Sequence, residues 1–238
     1  MTTDTVLIAG VIFLASLLQG VFGFAFMLIA LPLLSFFLSM KVAVPLLSFF
    51  LALLSGILAF QLRGRFDHRG VIPLLIGGAA GIPAGIFFLL AFNDALIKTI
   101  LGIVLIVYSA YSLFLKRAPF TFPGWAGYLF GFFAGALGGA FNITGPPVVF
   151  YLSAREGSKT DIIGSLNLFF CITSVLVLAL HAAVGNITYE ITVTFLELVP
   201  AMLAGMMTGG SILNKMNEGV YRKGLFLLLL IMGAMLLL

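Results

Sequence analysis

The sequence predicts an all-α polytopic membrane protein, and three observations carry that prediction. Of 238 residues, 62% are hydrophobic and 8% are charged, against about 25% charged in an ordinary globular domain. Apolar stretches run at about 6–38, 42–61, 71–92, 95–115, 124–153, 160–183, 189–213 and 219–238, and short connections between them hold nearly all the charges. Strict two-residue alternation is absent, so the spans read as helices, whose backbone polar groups are satisfied internally in lipid, and not as barrel strands.

The first stretch is too long for one crossing. About 33 residues of helix at 1.5 Å each reach roughly 50 Å, well beyond a hydrocarbon core of about 30 Å. It carries a break at Gln19-Gly20-Val21-Phe22-Gly23, and the fifth stretch carries one at Gly135 to Pro147. Each block then reads as two half-helices of roughly 9 to 15 residues meeting at a Gly-rich tip, a re-entrant hairpin that enters and leaves on one side. The second, third and fourth stretches read as ordinary spans, and so do the sixth, seventh and eighth.

The chain also repeats itself. A shift of 115 superposes Gly20 on Gly135, Gly23 on Gly138, Ala25 on Ala140, Phe26 on Phe141 and Pro32 on Pro147; a shift of 124 superposes Gly81 on Gly205 and Gly85 on Gly209. Two membrane repeats follow, 1–117 and 118–238, each a broken-helix hairpin plus three transmembrane helices. Loop charge decides their relation. With both blocks re-entrant, ten Lys and Arg residues lie on one face and only Lys41 and Lys98 on the other; with both blocks crossing once, the division is 5 against 7. The positive-inside rule selects the first arrangement. Both termini are then periplasmic, the repeats are inverted, and the tips enter from opposite faces to meet near the midplane, where transporters of this build bind substrate. The first nine residues hold Asp4 and no Lys or Arg, so no cleaved leader is expected.

The strongest local signal is Gly138-Gly139-Ala140-Phe141-Asn142-Ile143-Thr144-Gly145-Pro146-Pro147. Glycine permits close backbone approach, proline removes helix hydrogen bonds, and Asn142 and Thr144 bring polar groups into an apolar block. A half-helix beginning near Phe24 or at Pro146 would aim free N–H groups and its dipole at the tip, which favours an anion. The candidate substrate-binding residues are therefore Gln19, Gly20, Gly23, Phe24, Gly138, Gly139, Asn142, Thr144 and Gly145. Asn167 joins them because it shares a helical face with Ser174, as Ser48 does with Ser55. Glu197, about eight residues into the seventh stretch, is the one deep carboxylate and the proton-coupling candidate.

Other classes find no support. HExxH, GxSxG and Walker A runs are missing, so no enzyme is expected. No metal or other cofactor is expected, Cys171 reads as packing, and no basic, aromatic-interleaved surface suggests nucleic acid. The partners expected are a small anionic substrate and the lipid bilayer, with a homodimer left open.

The two motifs GVFGFAFMLIALP and GALGGAFNITGPP, each a Gly-rich break followed by proline and joined by a basic central loop at Lys116 and Arg117, resemble the sulfite exporter TauE/SafE family of small bacterial permeases over essentially the whole chain. The first motif departs from the family pattern in holding Phe24 where a run of glycines is usual. The resemblance implies secondary transport of small sulfur-containing anions, such as sulfite, sulfoacetate or another organosulfonate, across the bacterial inner membrane, with substrate between the tips. An anion channel, or a permease for another small carboxylate or organic anion, is the alternative.

Overall fold

The computed structural model describes residues 3–114, 122–155, 158–213 and 218–237. Lys116, Arg117 and Lys215 of the charge argument lie outside them. Among the described residues there are ten helices and no strand: α1 (Thr3–Phe22), α2 (Phe26–Leu34), α3 (Met40–Gln61), α4 (His68–Ala91), α5 (Asp94–Phe114), α6 (Ala126–Phe141), α7 (Gly145–Ser153), α8 (Lys159–Ala183), α9 (Tyr189–Leu213) and α10 (Glu218–Met235). Five of them, α3, α4, α5, α8 and α9, are long and apolar enough to cross a membrane. The chain is a multi-pass membrane protein.

Both long apolar blocks are broken where the glycines and prolines stand, into α1 with α2 and α6 with α7. The arms are less equal than expected. Each second arm has 9 residues, whereas α1 has 20 and α6 has 16, because nothing between Thr3 and the first tip interrupts helical hydrogen bonding.

The helices gather into two compact units, each drawing on both halves of the sequence. The first unit comprises Met1–Ala43, Phe92–Ala118 and Leu198–Leu238, and contains α1, α2, α5, α10 and the later part of α9. The second comprises Val44–Ala91 and Pro119–Glu197, and contains α4, α6, α7, α8, most of α3 and the start of α9.

Glycine makes the closest contacts in both. In the second unit, a Cβ at Gly77, Gly81 or Gly85 of α4 would fall on the carbonyl oxygen of Tyr128, Phe132 or Ala136 of α6. In return, one at Gly131, Gly135 or Gly139 would fall on the carbonyl of Leu74, Gly78 or Ile82. Lipid gives helices no hydrophobic reason to associate, so backbone-to-backbone contact of this kind is what holds them. Ile82 and Ile86 of α4 also pack on Val177 of α8. In the first unit, Gly205 and Gly209 of α9 meet the carbonyls of Phe13 and Leu17, and Gly20 meets the carbonyl of Met206. The first arm of each half's hairpin thus packs on the second transmembrane span of the other half.

An ion pair closes the second unit at one end. Asp67, just before α4, receives Arg155 Nε on Oδ2 at 2.6 Å, caps Gly70 N through Oδ1 at 3.1 Å, and its own N–H donates to Ser165 Oγ at 2.9 Å. The Asp67 hydrogen bond raises the Arg155 guanidinium above its ordinary pKa, so it stays charged at any working pH. The C-terminal end of α7 is thereby tied to the connection between α3 and α4.

Candidate functional site

The second tip is built on one left-handed residue. Asn142 ends α6 with φ 51°, ψ 25°, and among the described residues it is the one non-glycine with positive φ. Asn tolerates that region better than most residues because its short polar side chain finds local partners. Here the backbone N–H of Asn142 donates to Gly138 O at 2.7 Å. Its Nδ2 donates to Ser48 Oγ of α3 at 2.8 Å, and its Oδ1 accepts from Ser174 Oγ of α8 at a long 3.5 Å. Ser48 itself donates to Val44 O at 2.7 Å. The Asn142 carboxamide is thus a strut between two spans and the break.

Thr144 follows as the N-cap of α7 (φ −91°, ψ −12°), with no capping bond from its side chain. Thr144 is 1% exposed, yet its Oγ1 has no partner among the described residues. A buried hydroxyl without a partner forgoes about 1–3 kcal/mol, and such a group calls for an explanation. It stands beside the start of a half-helix whose next two residues, Pro146 and Pro147, have no N–H, so Gly145 N is the first donor α7 presents. Among the described residues that N–H meets no acceptor. One hydroxyl and one amide hydrogen at a helix N-terminus suit the oxygens of a small anion.

The first tip has the same backbone. Gly23 has φ 80° and donates its N–H to Gln19 O at 2.7 Å; Ala25 is the N-cap of α2 at φ −89°, ψ −11°. Gly23 therefore corresponds to Asn142, Ala25 to Thr144 and Phe26 to Gly145, a shift of 119. This corrects the shift of 115 read from sequence by four residues, about one helical turn. The correction holds along the arms. With 119 for the hairpin arms and 124 for α4 and α9, the contact of Gly81 with Phe132 maps onto that of Gly205 with Phe13, Gly85 with Ala136 onto Gly209 with Leu17, and Gly139 with Ile82 onto Gly20 with Met206.

The expected site residues separate by what they touch. Asn142, Thr144, Gly138 and Gly145 come together at the second tip, with Ser48 and Ser174 delivered to it. Gly20 and Gly139 spend their missing side chains on helix packing. Gln19 and Gly23 are joined within the first tip, where Gln19 Nε2 donates to Gly23 O at 3.1 Å. Phe24 is half-buried there, its ring 6.1 Å from that of Phe22. Asn167 is buried on α8 and donates to Ile163 O at 2.9 Å. Glu197 is exposed on α9.

Among known proteins, the chain is similar to the probable sulfite/organosulfonate exporter TauE of Cupriavidus necator, with 28% identity over 188 residues that cover 76% of this chain and 73% of the relative. No solved structure matches it. The profile of one family spans both hairpins and every transmembrane helix, from residue 8 to residue 236, and the chain accordingly belongs to the sulfite exporter TauE/SafE family.

Proposed function

We propose that this membrane transporter moves small sulfur oxyanions, sulfite or an organosulfonate such as sulfoacetate, outward across the bacterial inner membrane, and that it holds them at the second tip. The observation that carries the reading is the pair of buried donors there, Thr144 Oγ1 and Gly145 N, which meet no acceptor among the described residues and stand at the positive end of α7. The similarity to a protein named as a sulfite/organosulfonate exporter supports the substrate class. The Asp67–Arg155 pair supports a re-entrant second hairpin. Between those two residues stand the spans α4 and α5, which return the chain to its starting face; α6 with α7 must then do the same. With the charge distribution, this supports cytoplasmic loops at Asp67 and Arg155 and periplasmic termini.

The test is calorimetric titration of the purified protein with sulfite, sulfoacetate, taurine and acetate. The sulfur oxyanions are expected to bind and acetate to bind far more weakly. Thr144→Val keeps the shape of the side chain and removes the hydroxyl, and it is expected to raise Kd about tenfold, the weight of one hydrogen bond to a charged ligand. Unchanged binding in a folded Thr144→Val protein would remove the second tip from the site.

A further inference from the structure

The two tips share a backbone but not a chemistry, and the difference lies in one residue. The shift of 119 places Gln19 on Gly138. In the first tip, Gln19 Oε1 accepts the N–H of Phe26, the first residue of α2, at 2.9 Å, while its Nε2 donates to Gly23 O at 3.1 Å. The carboxamide oxygen therefore lies where an anion's oxygen would lie before that half-helix. The carboxamide nitrogen satisfies the carbonyl of the left-handed residue opposite. Gln19 is fully buried, and all of this is done without burying a charge.

In the second tip the corresponding residue, Gly138, has no side chain, and a Cβ there would meet Thr144 Cγ2 at 2.6 Å and nothing else within reach. The N–H that corresponds to Phe26 N belongs to Gly145 and has no acceptor among the described residues. The residue that corresponds to Ala25 is Thr144, whose hydroxyl adds a second donor without a partner among the described residues. One tip contains its own neutral ligand; the other lacks it and has one donor more.

We infer that the Gln19 carboxamide is an internal stand-in for substrate, which closes the first tip to anions and leaves the second as the single anion-binding tip of the chain. This rests on the second tip being the anion site. To take the first tip an anion would have to displace the Gln19 Oε1 bond to Phe26 N–H, a hydrogen bond already made in the buried tip, and its own contact there would not repay that loss.

Titration of the full-length protein with sulfite, with thermal unfolding to certify the fold of each variant, separates the possibilities. Wild-type protein is expected to bind one sulfite per chain. Gln19→Ala, or Gln19→Met if the alanine variant does not purify folded, is expected to keep a site within about threefold of the wild-type Kd, since neither touches the second tip. Gly138→Gln combined with Thr144→Ala rebuilds the first tip's residues in the second, and binding is expected to fall by more than tenfold. A tenfold or greater loss in a folded Gln19 variant would make Gln19 a ligand contact and overturn the inference, with the second tip still standing as the site. Wild-type affinity in the double variant, with Thr144→Val impaired, would equally overturn it. Wild-type affinity in both Thr144→Val and the double variant would instead remove the proposed site itself.

Discussion

At Asn142 a backbone requirement and a side-chain requirement coincide, and the two can be taken apart. Asn142→Gly keeps easy access to positive φ and loses the bond to Ser48; Asn142→Ala loses the same bond and also forces a Cβ into the left-handed region, at about 1–2 kcal/mol. Asn142→Ala is therefore expected to be the less stable of the two by about 1 kcal/mol or more, a difference that thermal unfolding in one detergent would resolve. Equal stabilities would show that the backbone relaxes at this residue. In the sequence Asn142 was legible as a polar group in a glycine-rich break, and Ser48 and Ser174 as residues lining helical faces. That the three would meet was not, because spacing along a helix tells which residues share a face and never which helix that face will find.

Among the helices, glycine position matters more than glycine number. Gly10 of α1 is exposed and a Cβ there would meet nothing within 4 Å, whereas one at Gly81 would fall on the carbonyl of Phe132. Gly10→Ala is thus expected to be neutral or to stabilise by about 0.5–1 kcal/mol. Gly81→Ala is expected to destabilise by about 1–3 kcal/mol through overpacking, and unfolding of the two variants side by side would show it. A Gly81→Ala protein as stable as wild type would mean that α4 and α6 part without penalty. The same spacing explains why the sequence alone sets the repeat one turn out of register. Gly127, Gly131, Gly135 and Gly139 recur every four residues, so slipping a hairpin arm by one turn still lays glycine on glycine. Only the left-handed residues, Gly23 and Asn142, fix the true register, and their backbone angles are not visible in residue names.

For the whole molecule, membership of an exporter family makes this a membrane transport protein and not an enzyme. A monoanion leaving a negative-inside cell gains about 2.3 kcal/mol per 100 mV, so export needs no coupled proton. Glu197→Gln is accordingly expected to leave sulfite efflux from potential-clamped vesicles within about twofold of wild type, and collapse of efflux in that variant would restore the carboxylate to a coupling role. Orientation has its own check: cysteines placed singly at Asp67 and Arg155 are expected to react with an impermeant maleimide only when the cytoplasmic face is exposed, and labelling from opposite faces would rule out the hairpin. The exchange of hairpins between halves also sets an order in time. At about 5–20 residues per second of synthesis, α6 begins about 35 residues after α4 ends, a wait of seconds. The α9 glycines that receive α1, Gly205 and Gly209, come roughly 10 to 40 s after Phe22 has been made. The first hairpin to be synthesised is therefore the last to be seated, and a chain stopped at residue 197 is expected to show fast amide exchange across residues 13–20 that the finished protein slows.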